Sequence, residues 1–333
     1  MSHRLIRWIF KSTGIASILV GLTLSYPFGA TVQGASYPVR AITFVTPYAP
    51  GGMDLEARVV AADMQKTLGQ PVLVEPRGGG GGTIGTNYVA QSKPDGYILL
   101  YSSATQLTLA PLLSELPYTL EDLIPIASTS ILTNVLAVNA NAKWKNIQEF
   151  VDYGKKNPGA IKFGSGGVGT ALHMLAEALA FATGMKIAHV PYKGSGDAMI
   201  AVIGGHIDCT FAMAQTVLPQ VRGKKIRVLA TAGANRFPDF PEAPTFTEIG
   251  IPIDPKLGVN WQGVCAPKGT PKEVCDIIGA AIRKSMARPE TIKTFKEIGS
   301  FPNYNDSKGY KAFLVEQSNL FKGLVDKLDL KNK

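Results

Sequence analysis

The chain has 333 residues, of which 45% are hydrophobic and 18% are charged, and its formal net charge is +9. A chain of this length can bury a sizeable core without disulfides, and its three cysteines are too few for a disulfide framework. The basic residues are spread along the chain, with no Lys/Arg block flanked by aromatic residues, which excludes a typical nucleic-acid-binding protein.

The N-terminal segment predicts export. Arg4, Arg7 and Lys11 form a basic head, residues 15–24 form a short apolar core, and small residues suited to cleavage follow at 32–36. The apolar core is about half as long as a membrane-spanning helix requires. A lipoprotein would need a cysteine at the cleavage site, which this segment lacks. We therefore predict a cleavable signal peptide and a mature protein free in the periplasm of a Gram-negative bacterium.

The mature chain keeps a mild positive charge. The signal peptide holds three basic residues and no acidic ones, so the formal charge of the remaining chain is +9 less 3, or +6. A weak positive field suits an anionic ligand, but the same charge could serve only to keep the protein soluble. Both interpretations stay open.

The three cysteines also allow two interpretations. Cys209, Cys265 and Cys275 could all be buried apolar packing residues, or Cys265 and Cys275 could form a bridge in an oxidising compartment. We favour buried packing, because a chain of this size does not depend on a bridge for its stability.

From residue 40 onward, strand-like and helix-like segments alternate, which predicts an α/β fold with mostly parallel sheets flanked by helices. A turn at 93–96, with Pro, Asp and Gly in suitable positions, precedes the third strand. The first series of elements is a strand at 42–46, a helix at 55–68, a strand at 72–75, a helix ending near 91 and a strand at 97–102.

The same alternation restarts after Asn139, which predicts a second lobe of similar size. Segments 216–222 and 226–230 continue this lobe, and residues 237–255 are proline-rich and irregular. The second series is a helix at 147–156, a strand at 161–163, a helix at 171–183, a strand at 188–191, a helix at 196–204 and a strand at 207–211.

The chain ends with a predicted strand at 260–266 and helices at 271–287, 289–298 and 307–328. A terminal run of helices does not readily form its own lobe, so we expect it to pack on the first one. The predicted organisation is a signal peptide at 1–35, the first part of lobe 1 at 36–138, an inserted lobe 2 at 139–258, and the second part of lobe 1 with a helical C-terminus at 259–333.

Three glycine-rich turns each follow a strand-like segment and precede a helix-like one. We name them the first turn (48–54, YAPGGMD), the second turn (77–85, RGGGGGTIG) and the third turn (164–170, GSGGVGT). The N–H groups in the first turn of a helix have no partner within the helix, so a carboxylate or phosphate placed there accepts their hydrogen bonds. Glycine lets the ligand approach closely. The three turns therefore predict a protein that binds an acid.

The turns do not carry the residues of the common nucleotide sites. The third turn contains a G-x-G-G-x-G pattern, but it opens the inserted lobe, and His189 stands where a dinucleotide site would have an acidic residue. A phosphate loop would need a lysine before Thr170. The sequence has no G-x-S-x-G motif and no nucleophile beside a base. We expect no enzymatic activity, no cofactor and no metal.

Two residues at predicted helix starts have local roles. Asp54 precedes Arg58 by four residues, which predicts an ion pair that fixes the start of the helix. The hydroxyl of Thr170 could cap the next helix or donate to a bound acid, and both interpretations stay open.

Two pairs of residues imitate metal ligands. His173 and Glu177 are spaced four residues apart, and His206 lies near Cys209. Neither pair has a third or fourth ligand nearby in the sequence, so we predict structural hydrogen bonds rather than metal binding.

The ordered motifs of the whole mature chain resemble those of one family. They are PYAPGG (47–52), AR (57–58), LGQPV (68–72), GGGTIG (80–85), PDGY (94–97), NPG (157–159), GSGGVGT (164–170), HVPYKG (189–194), ID (207–208), PT (244–245), WQG (261–263) and APKGTP (266–271). With these motifs the chain resembles the extracytoplasmic solute-binding proteins of the tripartite tricarboxylate transporter system, the Bug family.

The resemblance implies a type II periplasmic binding protein fold whose two lobes close on a carboxylated solute. It also implies delivery of that solute to a two-component membrane permease, with no nucleic acid involved, and we expect a monomer. A sensing subunit without transport and a periplasmic enzyme are the alternatives. The predicted ligand-binding residues are Ala49, Pro50, Gly51, Gly52, Met53, Ser103, Ser165, Gly166, Gly169, Thr170 and Asp208.

Two departures from the family pattern stand out. Only Met53 separates Gly52 from Asp54, where the family usually has two residues, so the first turn is one residue shorter. Pro76 replaces an asparagine common in the second turn. We expect the first and third turns to face each other across a cleft between the lobes, with the second turn as structural support of lobe 1.

Overall fold

The computed structural model describes residues 37–48 and 52–328. The predicted signal peptide and residues 49–51 of the first turn lie outside this part of the chain. Among the described residues, no helix is both long and apolar enough to cross a membrane.

Strands and helices alternate along the first hundred described residues, as the sequence predicts. The predicted strands and helices in this region are confirmed to within a few residues at either end. The elements are β1 (Ile42–Thr46), α1 (Gly52–Leu68), β2 (Val72–Pro76), α2 (Thr83–Ala90), β3 (Ile98–Ser103), α3 (Ala104–Thr108) and α4 (Ala110–Leu113).

The next strand, β4 (Leu123–Asn139), has 17 residues and is absent from the sequence-based prediction. Most of its residues are buried on both faces, so it lacks the alternation of apolar and polar residues that indicates a half-buried strand. Its centre includes Ser128, Thr129 and Ser130, all fully buried, although this composition is more typical of a loop.

The following elements alternate again, and the predicted helices at 147–156 and 171–183 are confirmed at both ends. Helix α5 begins after Asn146, whose side chain accepts a hydrogen bond from the N–H of Glu149 at 2.9 Å. These elements are α5 (Ile147–Lys156), β5 (Ile161–Ser165), α6 (Ala171–Thr183), β6 (Ile187–Pro191), α7 (Ser195–Ile203), β7 (Cys209–Met213), α8 (Ala214–Arg222) and β8 (Ile226–Thr231).

The last part of the chain contains one strand more than predicted, β10. The predicted helix at 307–328 is confirmed at both ends. The elements are β9 (Val259–Pro267), α9 (Lys272–Met286), α10 (Pro289–Glu297), β10 (Phe301–Asn305) and α11 (Ser307–Leu328).

The strands form a mixed sheet in the order β2-β1-β3-β9-β4-β7-β5-β6, and β8 and β10 also pair with β4. Strand β1 is parallel to β2 and β3, and β5 is parallel to β6 and β7. The long strand β4 is antiparallel to its partners β7, β8, β9 and β10. The α/β class is thus confirmed, but the expectation of mostly parallel sheets is corrected, because β4 and β9 add antiparallel pairs.

Strand β4 connects the two groups of parallel strands. Its residues 123–133 pair with β9, whereas residues 134–139 pair with β7 and β8. The carboxyl ends of β1, β2 and β3 lead into the first turn, the second turn and α3, and the carboxyl end of β5 leads into the third turn. Ligands of open α/β sheets bind outside the carboxyl ends of the strands, which is where these turns lie.

Most of the C-terminal segment packs as expected. Helices α9 and α10 pack on α1, and β9 lies between β3 and β4. Helix α11 departs from the expectation, because Tyr310 and Phe313 join the core around β3, whereas Phe321 and Val325 join the core formed by β5 and α6. The C-terminal helix therefore contacts both groups of strands rather than the first alone.

The three cysteines are free. Cys209 and Cys265 are buried, and burial raises the pKa of the Cys265 thiol to about 12. Cys275 is only half-buried. The alternative of a bridge between Cys265 and Cys275 is therefore wrong, and buried packing is confirmed for Cys209 and Cys265 but not for Cys275.

Candidate ligand-binding site

A cavity of about 490 Å³ lies between the second and third turns. No lining residue in the described part of the chain is charged. The second turn therefore lines this cavity together with the third, and the expectation that it only supports lobe 1 stays a prediction. The lining residues are Gly80, Gly81, Thr83, Thr105, Gln106, Leu109, Ala110, Leu113, Ser114, Leu116, Val168, Gly169, Thr170 and Ala171.

Three larger grooves in the described part of the chain lie away from the third turn. One, of about 690 Å³, runs along α2 beside Arg40, Arg77 and Tyr88. Another, of about 760 Å³, lies between α9 and the start of α11, and a third, of about 570 Å³, lies between α1 and β2. None of them is lined by a residue of the third turn, so the smaller cavity is the one at which two of the glycine turns meet.

The third turn is held in place by its own hydroxyl and backbone groups. The hydroxyl of Thr170 donates to the carbonyl oxygen of Gly167 at 2.9 Å and accepts from the N–H of His173 at 3.4 Å. The hydroxyl of Thr170 therefore caps α6, and its donation to a bound acid stays a prediction. The first N–H groups of α6, at Ala171 and Leu172, have no partner within the helix, and Ala171 lines the cavity.

Gly169 occupies a position that disfavours any residue with a side chain. Its φ of +76° lies in the left-handed region, and a Cβ there would stand 3.0 Å from a methyl carbon of Leu113 on α4. The backbone of the third turn thus approaches α4 across the cavity. A side chain at this position would project into the space available to a ligand.

Two stacked histidine rings lie behind the third turn. His173 accepts the N–H of Gly169 at its Nδ1, 3.0 Å away, and its Nε2 is 3.5 Å from a carboxylate oxygen of Glu177. The ring of His189 stacks on it with centroids 4.0 Å apart, and His189 Nε2 is 2.7 Å from the Ser165 hydroxyl. Burial, assisted by the neighbouring His173, lowers the pKa of His189. The predicted structural role of His173 and Glu177 is confirmed, while the contribution of His189 is not evident from the sequence.

The second turn packs against a polar network. A Cβ on Gly82, which has a φ of +101°, would stand 2.9 Å from Gln106 Oε1 and 3.1 Å from a ring carbon of Tyr48. Tyr48 donates to Gln106 Oε1 at 2.9 Å, and Gln106 Nε2 donates to the Tyr118 hydroxyl at 2.5 Å. Sequence reasoning missed this network, because Tyr48, Gln106 and Tyr118 lie far apart in the chain.

Both tyrosines of the network keep their protons at neutral pH. Burial raises the pKa of Tyr48, and a hydrogen bond with Ser103 only partly opposes this shift. Burial also raises the pKa of Tyr118, and hydrogen bonds with Gln106, Thr86 and Thr83 only partly oppose this shift. The support of the second turn therefore consists of groups that do not titrate near pH 7.

The predicted ligand-binding residues are only partly brought together. Gly169 and Thr170 line the cavity, whereas Ser165 is fully buried beside His189 and is not a lining residue. Gly166 faces the start of α7, since a Cβ there would be 3.0 Å from the backbone nitrogen of Ser195. Ser103 is buried at the end of β3, with its hydroxyl 3.4 Å from that of Thr105, a lining residue.

Asp208 lies away from the third turn. It precedes β7, and its carboxylate accepts the N–H of Lys162 near the amino end of β5 at 2.8 Å. Ser165 is at the opposite, carboxyl end of the same strand. The structure therefore does not bring Asp208 together with the other predicted site residues.

The described part of the first turn begins α1. Gly52 is exposed, and Met53 is half-buried against the core around α1. The predicted ion pair is confirmed, with Arg58 Nε 2.8 Å from a carboxylate oxygen of Asp54. Ala49, Pro50 and Gly51 lie outside the described residues, so their predicted part in the site stays a prediction.

The chain is similar to known receptor proteins over most of its length. A family model described as "Tripartite tricarboxylate transporter family receptor" matches residues 56–330. Protein BugT of Bordetella pertussis is 33% identical over 311 residues, which cover 91% of this chain and 94% of BugT.

Solved structures share the fold. A TctC solute-binding protein from Polaromonas, without ligand, is 30% identical with a TM-score of 0.79, covering 88% of this chain and 100% of its own. MatC from Rhodopseudomonas palustris with bound malate is 26% identical with a TM-score of 0.70, covering 87% and 100%. Another R. palustris protein, with adipate, is 25% identical with a TM-score of 0.73, covering 87% and 97%.

Proposed function

This chain belongs to the tripartite tricarboxylate transporter receptor family, a family of solute-binding proteins, and from that premise we propose its ligand and its site. It binds a small aliphatic carboxylate in the cavity between the second and third turns and delivers it to a two-component membrane permease. The observation that carries the proposal is the convergence of two glycine turns, each opening an α-helix, on one cavity without charged lining residues.

The lining implies how an acid is held. No described lining residue is a lysine or arginine, so the negative charge of the ligand is met by backbone N–H groups and hydroxyls. The first N–H groups of α6, at Ala171 and Leu172, have no partner within the helix, whereas those of α2, at Thr83 and Ile84, donate to carbonyl oxygens of the second turn. The dipoles of both helices favour an anion at their N-termini. Thr83 and Thr105 add hydroxyl donors, and Gln106 adds a polar side chain.

The free energy needed for binding favours a ligand that contacts both turns. A ligand with a micromolar dissociation constant is bound by about −8 kcal/mol. A helix terminus supplies at most about 2 kcal/mol and a charge-assisted hydrogen bond about 1.5–3 kcal/mol. The loss of translational and rotational freedom raises the total that contacts must supply. Several donors are therefore required, and two turns provide more of them than one.

The apolar part of the wall suits a hydrocarbon portion of the ligand. Leu109, Leu113 and Leu116 line one side, and Val168 of the third turn lines another. Each Å² of apolar surface removed from water contributes about 25 cal/mol. Relatives have been solved with malate and with adipate, both aliphatic acids, which supports the same ligand class for this chain.

Binding is coupled to a change in the distance between the two turns. A ligand that contacts both turns binds best when they are close, so its differential affinity shifts the protein towards that arrangement. Small-angle scattering checks this step: the radius of gyration is expected to fall on addition of a tightly bound acid, and an unchanged radius with saturating ligand contradicts it.

A ligand screen tests the proposal directly. The mature protein is mixed with malate, adipate, citrate, glutamate and benzoate, and the unfolding temperature and the heat of binding are measured. A ligand at 100 times its dissociation constant stabilises the native state by about 2.7 kcal/mol, so at least one acid should raise the unfolding temperature by several degrees. Amides of the same acids serve as controls and should have no effect. The proposal fails if no acid binds, or if an amide binds as tightly as its acid.

A further inference from the structure

The third turn depends on an acceptor atom that can take up a proton. The N–H of Gly169 donates to Nδ1 of His173 at 3.0 Å, so Nδ1 carries no proton in this arrangement. In the neutral ring the proton is then on Nε2, which faces Glu177 Oε1 at 3.5 Å. The geometry therefore defines one tautomer and one protonation state of His173.

Two titratable groups lie against the His173 ring among the described residues. The ring of His189 on β6 stacks on it with centroids 4.0 Å apart, and a carboxylate oxygen of Glu177 on α6 is 3.5 Å from its Nε2. At the other nitrogen, Nδ1 accepts the N–H of Gly169.

We propose that His173 is a positioning residue for the ligand, which it affects through the backbone of Gly169, and that binding of an acid is coupled to release of a proton from Nδ1. The inference rests on the proposed function, because Gly169 is part of the cavity wall. His173 itself is 5% exposed and is not a lining residue, so it acts through the turn rather than by contact.

A proton on Nδ1 changes the cavity wall. It places two N–H donors 3.0 Å apart, so Gly169 loses its acceptor and the turn must move. The charge of the ring would also attract an anion. However, the turn backbone separates the ring from the cavity, and Glu177 offsets part of the charge. The altered wall therefore has the larger effect, and affinity falls on acidification.

The sign of the pH dependence follows from linkage. The ligand-bound turn requires an unprotonated Nδ1, so the bound state holds fewer protons than the free state at low pH. Affinity is then full while Nδ1 is unprotonated and weakens as Nδ1 takes up a proton, by up to about tenfold for each pH unit.

The first test needs no ligand. In the full mature chain labelled with ¹⁵N, imidazole and amide resonances are followed from about pH 8 to about pH 5, the range in which histidine titrates. We expect His173 to be protonated on Nε2 alone at the upper end, and the amide resonance of Gly169 to shift in step with the titration of the ring. The proposal is overturned if Nδ1 carries a proton near pH 8, or if the amide resonance of Gly169 does not shift as the ring takes up a proton.

The second test measures the dissociation constants of malate and adipate over the same pH range. In His173→Asn, Oδ1 takes the place of Nδ1 as an acceptor that does not titrate, whereas His173→Leu removes the acceptor. We expect His173→Asn to bind like the unchanged protein near pH 8 within about threefold, without the loss at low pH. We expect His173→Leu to bind at least about tenfold more weakly at every pH.

The exposed His206 supplies the matched control, since His206→Asn should leave both the affinity and its pH dependence unchanged. A pH slope that persists in His173→Asn overturns the proposal, as does affinity that rises on acidification. If neither acid binds the unchanged protein at any pH, that result counts against the proposed function, while the resonances of His173 and Gly169 still decide the positioning role.

Discussion

The second and third turns look alike in sequence, yet different chemistry supports them. Gln106 and the two tyrosines beside it hold the second turn, and none of these groups titrates near neutral pH. The third turn donates its Gly169 N–H to an imidazole nitrogen, an acceptor that can itself take up a proton. One wall of the cavity should therefore be insensitive to pH and the other sensitive, although glycine content alone would predict equal behaviour.

The two turns also show two different reasons for a glycine: close packing of neighbouring side chains against its backbone, or a position that faces the space for a ligand. Gly82 is required because Gln106 and Tyr48 pack against its backbone, whereas Gly169 is required because it faces the cavity and α4. Both residues have positive φ, but only one of them would direct a new side chain into the ligand's space. Substitutions at the two glycines should distinguish a supporting role from a direct one.

The largest effect is expected for Gly169→Ala. A methyl group in the left-handed region costs about 1–2 kcal/mol of stability, and here it would also stand 3.0 Å from Leu113 inside the cavity. We expect the affinity for the acid to fall about thirtyfold or more, measured by calorimetry, which corresponds to about 2 kcal/mol. Gly184→Ala is the matched control, since Gly184 has a φ of +72° with no atom within 4 Å of an added Cβ. Equal affinities of Gly169→Ala and Gly184→Ala would mean that Gly169 does not contact the ligand.

A smaller effect is expected for Gly82→Ala. The new methyl group would press on Gln106, whose amide is held by Tyr48 and Tyr118, so the network must shift. We expect a loss of affinity of about tenfold, and this loss should be the same near pH 8 and near pH 5. Gly69→Ala controls for backbone strain, because Gly69 has a φ of +67° and open space around it. A strongly pH-dependent loss would contradict the contrast between the two turns.

A weaker effect is expected for Tyr48→Phe. This change removes the hydroxyl that donates to Gln106 Oε1 at 2.9 Å, a hydrogen bond with a net contribution of about 1 kcal/mol. We expect affinity to fall about threefold to fivefold without any change in its pH dependence, as measured by titration calorimetry. Tyr88→Phe lies in the groove along α2 and should leave the affinity unchanged. An equal loss of affinity in Tyr48→Phe and Tyr88→Phe would indicate that the ligand does not bind in the cavity between the second and third turns.

The smallest effect is expected at the first turn. Arg58→Ala breaks the ion pair with Asp54, but the arginine side chain is 53% exposed, so the pair is largely screened by water. We expect the free energy of unfolding to fall by about 0.5 kcal/mol, with unchanged affinity for the acid. Chemical denaturation measures the first quantity and calorimetry the second. A large loss of affinity would mean that the start of α1 contributes more to the site than the second turn does.

Much of the fold could be predicted because local signals agree with one another. Helix α6 is apolar along most of its length, begins after the capping residue Thr170 and ends at Gly184, which adopts the left-handed conformation of a helix C-cap. Strand β4 could not be predicted in the same way, since it is buried on both faces and carries the buried Ser128, Thr129 and Ser130 at its centre. Tertiary packing, rather than local pattern, determines that strand.

The candidate site, like the fold, could be predicted from the sequence only in part. The third turn was predicted from glycines between a strand and a helix, and Gly169 and Thr170 do line the cavity. The position of the second turn beside the same cavity could not be predicted, because sequence spacing does not show that Gln106 and Leu113 fold back beside it. The position of Asp208 follows from its place before β7, because a residue that precedes a parallel strand lies at the amino edge of the sheet, away from the turns.

The measurement that tests the central claim most directly is the mapping of backbone amide resonances during titration with the acid that binds in the screen. We predict the largest shifts at residues 80–84 of the second turn and α2, and at residues 168–172 of the third turn and α6, with both sets saturating at the same ligand concentration. Shifts concentrated in the groove beside Arg40 and Arg77, or confined to one of the two turns, would contradict the claim that an acid binds between them.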